Sequence, residues 1–195
     1  MSTEIEGTSA TASTPQKFTA PSRMFHWLTA ILIFATLFIG FTMVNWLAGY
    51  AELRVIHMSI GALILLVVIL RIVNRARHHP PAWPPTIGRL EGKAVIWSER
   101  ALYALLLAQP LVGWAMVSAS GTPVRVFGVL RLPPIAPSNI DVFSVLREAH
   151  SILAYLLVAV VAAHVSAVLA HSIVLSDGML RRMTFHIGRR ERSKI

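Results

Sequence analysis

The sequence predicts an all-α integral membrane protein, a four-helix bundle with both termini in the cytoplasm. Three observations lead there. The chain of 195 residues is 55% hydrophobic and only 14% charged, too little charge to cover the surface of a soluble domain. Four stretches contain no Lys, Arg, Asp or Glu at all: residues 24–50, 55–70, 101–124 and 149–176. The 18 basic residues fall unevenly into the connections between them.

A helix crosses the hydrocarbon core in about 20 residues, range roughly 17–25. The first, third and fourth runs reach that length. The second is slightly short, and Arg54 and Arg71 complete it by reaching their charges to the two interfaces. The third run carries no histidine, and its Pro110 is expected to kink it, so it serves as a wall.

Outside the runs, residues 1–20 are small and polar with no apolar periodicity, which predicts a disordered N-terminal tail. No basic segment precedes the first apolar run, and that run is too long for a signal peptide, so an uncleaved first span is expected. Residues 21–183 form the membrane domain, and 184–195 a basic C-terminal tail. The second connection holds "HHPPAWPPT", which cannot be helical and is expected to be extended. The third, roughly residues 118–147, is unusually long, and long loops are functional or mobile. His78, His79 and His186 fall in polar segments and are expected to be solvated.

Charge sets the direction. Lys17 and Arg23 precede the first span. Arg71, Arg75, Arg77, Arg89, Lys93 and Arg100 lie in the second connection, and Arg181, Arg182, Arg189, Arg190, Arg192 and Lys194 follow the last span. These 14 share one side, against 4 on the other (Arg54, Arg125, Arg131 and Arg147). Cytoplasmic connections carry the excess of Lys and Arg, which places both termini inside. The net charge of +9 is therefore a topology signal, and no nucleic-acid partner is expected. With no cysteine, disulfides, thiolate metal sites, iron–sulfur clusters and covalently attached c-type haem are excluded.

Four histidines remain at membrane depth. His26 opens the first span and His57 the second, at opposite surfaces. His150 and His164 share the fourth. Their 14-residue spacing is a rise of about 21 Å, with the second ring within about 40° of the first. By depth, His150 matches His57 and His164 matches His26. Ionisable groups inside a membrane face the bundle interior and mark function. Pairs of neutral imidazoles from facing helices suit axial ligation of haem iron. A metal relay without porphyrin would want carboxylates, and the runs have none. Gly61 and Ala154, one turn after His57 and His150 on the same faces, offer room for a flat macrocycle or, equally, for close helix packing.

The "FHWL" of helix 1, the "IHMSIG" opening the run from Ile56 to Arg71, and the histidine pair on helix 4 resemble the bacterial cytochrome b561 family. The resemblance spans about residues 23–183. It implies that His26, His57, His150 and His164 are the axial ligands of two b-type haems (heme b). It also implies a multi-pass protein of the bacterial plasma (inner) membrane, passing electrons between an outer-face donor and the quinone pool. Some members oxidise superoxide and reduce ubiquinone, so a superoxide:ubiquinone oxidoreductase is the alternative, with superoxide or a redox protein as donor. Six-helix eukaryotic relatives and five-span hydrogenase subunits fit less well.

Two further residues are candidates. His171, seven positions after His164 and about 20° around the helix, is expected either to hydrogen-bond quinone near the inner haem or to sit at the interface. Arg147, one turn before His150, is expected to pair with a haem propionate, attract an anionic substrate, or anchor the helix.

Overall fold

The structure, a computed structural model, describes residues 17–78, 81, 87–176 and 180–184. Most of the expected tail over 1–20, His79 with most of the proline-rich stretch, and the C-terminal tail with His186 lie outside the described residues.

Four long helices dominate: α1 (Ala20–Asn45), α2 (Tyr50–Arg77), α3 (Arg89–Ala119) and α4 (Ile140–Leu169). All four are long and apolar enough to cross a membrane. They overrun the uncharged stretches because charged residues can extend a helix once it leaves hydrocarbon. α3 begins twelve residues before Ala101 and carries Glu91, Lys93, Glu99 and Arg100 on that extension. There Arg75 of α2 donates to Glu99 at 3.0 Å. The long connections expected from charge alone are correspondingly shorter.

Local chemistry sets the helix ends. The Thr19 hydroxyl accepts from Ser22 N–H at 3.4 Å ahead of α1, with Pro21 in the first turn, where its missing N–H costs nothing. Glu91 Oε2 accepts from Gly88 N–H at 3.2 Å ahead of α3. Asn139 Oδ1 accepts from the N–H groups of Asp141 and Val142 at 2.8 and 3.0 Å ahead of α4. Helix α3 runs unbroken through Pro110. At its far end α4 widens into a π-turn over Ala170–Val174, a distortion that commonly marks functional positions.

Helix α1 packs on α2, and α2 and α4 both pack on α3. α4 scarcely approaches the backbone of α1 or α2 among the described residues. The core fills the middle of the bundle with Ile33, Ile64, Val68, Leu106 and Leu157. Leu157 lies seven residues from both His150 and His164, so this plug separates the two histidine levels. Outward, Phe34, Phe38 and Phe41 of α1 are exposed, as a lipid-facing surface requires.

The all-α expectation holds, with one addition in the connection between α3 and α4. Strands β1 (Val124–Val126) and β2 (Leu130–Leu132) pair antiparallel. This hairpin is tied to the end of the bundle that carries His57 and His150. Phe127 N–H donates to Ser59 Oγ at 2.7 Å and Trp114 Nε1 to the Pro133 carbonyl at 2.9 Å. Ile135 N–H donates to Ser118 Oγ at 3.2 Å. At the opposite end the segment 180–184 lies against the start of α1. Phe18 N–H donates to the Arg182 carbonyl at 3.2 Å, and Trp27 Nε1 to the Met183 carbonyl at 2.9 Å.

Candidate functional site

The histidines meet across the gap that α4 leaves. His57 and His150 face each other with ring centroids 6.2 Å apart and planes at 77°. His26 and His164 do so at 6.4 Å and 55°. All four rings are half-buried. The depth match expected from spacing is thus the geometric pairing, one pair near each end of the bundle.

The separation is chemically informative. An imidazole nitrogen binds a first-row metal at about 2.0–2.1 Å, so two imidazoles on opposite sides of one ion hold their centroids about 6.3 Å apart. Directly packed rings span about 4.5–7 Å, so the separation admits an ion between the rings, and the donor count decides which ion centre fits. Each pair offers only two nitrogens, and no cluster of three or more His, Cys, Asp or Glu gathers for a metal ion among the described residues. A porphyrin supplies the four donors that a bare ion would lack. The residues present fit a haem at each level.

The His57–His150 level is neutral and tightly walled. Thr36 Oγ1 lies 3.3 Å from His57 Nδ1. Gln109 Nε2 donates to the His150 carbonyl at 3.2 Å and lies 3.4 Å from His150 Nε2. His150 Nδ1 is buried without a hydrogen-bond partner, a cost unless something binds the ring. Two glycines admit these rings. A Cβ on Gly40 of α1 would stand 3.2 Å from His57 Cε1, and one on Gly113 of α3 would stand 3.0 Å from His150 Cε1. At Gly61 the space is open, since a Cβ there would meet only Pro110 Cβ, at 4.0 Å.

The His26–His164 level is cationic. Arg71 does not simply extend toward the interface as its position at the end of the apolar run suggested. Its Nη2 lies 3.1 Å from His26 Nδ1, and its guanidinium sits 5.2 Å from the centroid of the Tyr103 ring. Arg71 and Tyr103 also line a cavity of about 290 Å³, together with Ser22, Asn74, Arg75 and Glu99. Trp27 meets His26 edge-on at 5.7 Å.

Of the two further candidates, His171 lies in the π-turn and is buried, its Nε2 3.0 Å from Glu91 Oε1. It is thus buried within the turn that ends α4. Arg147 is exposed on α4 one turn before His150. Gln109, Thr36, Gly40, Gly113, Tyr103 and Glu91 are the site neighbours that the sequence did not single out. All six lie on α1 or α3; α3 carries none of the four histidines, and α1 carries only His26.

The model of the family described as prokaryotic cytochrome b561 matches residues 17–186. Among similar proteins, cytochrome b561 homolog 2 of Escherichia coli K12 is 29% identical over 177 residues, covering 88% of this chain and 93% of that protein. A Yersinia pestis protein named probable superoxide oxidase CybB is 30% identical over 165 residues, covering 81% and 90%. Cytochrome b561 homolog 1 of Escherichia coli K12 is 25% identical over 171 residues, covering 86% and 96%.

Proposed function

Because the chain belongs to the prokaryotic cytochrome b561 family of b-type haem membrane cytochromes, we propose that it holds two haems and carries electrons across the bilayer. His57 and His150 ligate the outer haem, and His26 and His164 the inner one. The observation that carries this is the pair of ring separations, 6.2 and 6.4 Å, spanning a gap between helices at two levels. Haem supplies one-electron redox chemistry there, and two protein ligands per iron leave no open position, which favours electron transfer over oxygen binding.

The chain's own residues set the environment. The Leu157-centred plug keeps water from the space between levels. Thr36 and Gln109 orient the outer rings. Arg71 puts a permanent positive charge beside the inner pair, where it would favour the reduced state of a haem held there. The excess of basic residues on the side of the termini sets those termini in the cytoplasm of a bacterial plasma membrane. With haems in place the chain would pass electrons from an outer donor to quinone at the inner face, where His171, held by Glu91, would supply a hydrogen bond or proton.

A second reading names the donor. The likeness to the protein named probable superoxide oxidase, with Arg125, Arg131 and Arg147 exposed near the outer level, supports a superoxide:ubiquinone oxidoreductase. A small anion is drawn to such a surface.

The pairing is tested by difference spectra of single substitutions. His57→Ala and His150→Ala should remove one and the same spectral component, and His26→Ala and His164→Ala the other. If His57→Ala instead matched His26→Ala, the assignment would fail.

A further inference from the structure

The hairpin between α3 and α4 has an apolar tip that neither folding nor electron transfer requires. Val124 and Val126 are buried beneath it, yet its tip is apolar and open: Phe127 is 60% exposed, Val129 86% and Leu130 54%. Phe127 also takes a left-handed backbone, φ +53°, beside Gly128 at +73°. A bulky side chain rarely adopts that conformation, and such local strain persists where the presented group has a use. On the face turned away from the bundle, Arg125 and Arg131 stand directly opposite each other in the register. Like charges so placed repel. Neither has an acidic partner among the described residues.

The height of the tip identifies what it meets. Phe127 N–H is bonded to Ser59 Oγ at 2.7 Å. Ser59 lies five residues beyond Arg54, the last charged residue before the uncharged stretch of α2. At 1.5 Å per residue this is about 7.5 Å toward the bilayer centre. The backbone at the tip is therefore held level with the uncharged stretch of α2, below its last charged residue. A protein in solution could not reach apolar side chains there without displacing lipid.

We propose that the hairpin is an interfacial anchor. Phe127, Val129 and Leu130 insert among the acyl chains beside α2, and Arg125 and Arg131 together bind the phosphates of anionic lipid headgroups. Guanidinium groups suit phosphate because they offer paired donors in a planar fork, and phosphate between them removes their mutual repulsion. Anchored this way, the hairpin holds Val124 and Val126 down over the end of the bundle that carries His57 and His150. The inference stands on the hairpin alone and does not depend on the haem assignment.

The chain has no cysteine, so Val129→Cys creates a unique thiol for a nitroxide label. The full-length holoprotein is placed in nanodiscs of phosphatidylcholine alone or mixed with phosphatidylglycerol. Accessibility to oxygen and to a water-soluble nickel chelate is then read by electron paramagnetic resonance. The expected result is oxygen accessibility well above nickel accessibility in both lipids, with nickel accessibility falling further when phosphatidylglycerol is present. In the added background of Arg125→Gln and Arg131→Gln, that further fall should vanish while the apolar burial remains. Nickel accessibility above oxygen accessibility would put the tip in water, overturn the anchor and leave a soluble partner as the occupant. An identical response to both lipids in the arginine-containing protein would overturn the headgroup role. Haem content serves as the folding control, and Leu130→Cys replaces Val129→Cys should the latter lower it.

Discussion

Gly113→Ala probes the outer level with one methyl group. The new Cβ would stand 3.0 Å from Cε1 and 3.3 Å from Nδ1 of His150. Carbon atoms in ordinary contact sit about 3.5–4.0 Å apart, so the intrusion is about 0.5 Å or more. The ring has little room to retreat, with Gln109 beside it and His57 opposite. Overpacking of this kind costs about 1–3 kcal/mol, which corresponds to a roughly 5–150-fold weaker hold on whatever the ring ligates. The gain in helix propensity on replacing glycine, about 1 kcal/mol, acts on the fold and offsets general destabilisation, so the loss should be local. Gly40→Ala should act in the same sense on His57, its Cβ standing 3.2 Å from that ring. Gly61→Ala is the control, because its Cβ meets Pro110 at an ordinary 4.0 Å. Reduced-minus-oxidised spectra of the purified variants should show the outer component diminished in Gly113→Ala and intact in Gly61→Ala. A full outer component in Gly113→Ala, or an equal loss in Gly61→Ala, would refute the packing argument.

Two other outcomes follow from the same geometry. His171→Ala should slow reoxidation of the reduced protein by quinone with haem content unchanged, and Glu91→Gln should do so more weakly by loosening His171; loss of haem in His171→Ala would make that residue structural. If superoxide is the donor, stopped-flow haem reduction should slow with rising salt, because screening reaches about 10 Å at 0.1 M, and Arg147→Ala should blunt that dependence. Slow reduction that is indifferent to both would leave a carrier fed by another donor.

The spans and the depth of the four histidines were legible because both follow from one-dimensional rules: uncharged length, and rise per residue along a single helix. The limits of those rules explain what was missed. Gly61 and Ala154 stand out by their place on the histidines' own helices, whereas Gly40 and Gly113, which lie against the rings, are on neighbouring helices. Spacing within one helix cannot say which residue of another will face it. Arg71 looked like an interface residue because it ends an apolar run, and only the packing of α1 against α2 brings it to His26. The angle expected for His171 assumed an unbroken α-helix, and the π-turn at Ala170–Val174 carries no sequence signal of its own. Helix lengths were underread for a simpler reason. Absence of charge marks hydrocarbon, not helix, so the charged first turns of α3 and α4 were assigned to loops.

The central claim is that two histidine pairs hold two haems. It is tested most directly by a pyridine haemochrome assay on the purified, quantified protein. The account predicts close to two haems b per polypeptide, released by acid extraction because no cysteine tethers them. A value near one would mean that one pair is not a ligand pair, and a value near zero would contradict the account entirely.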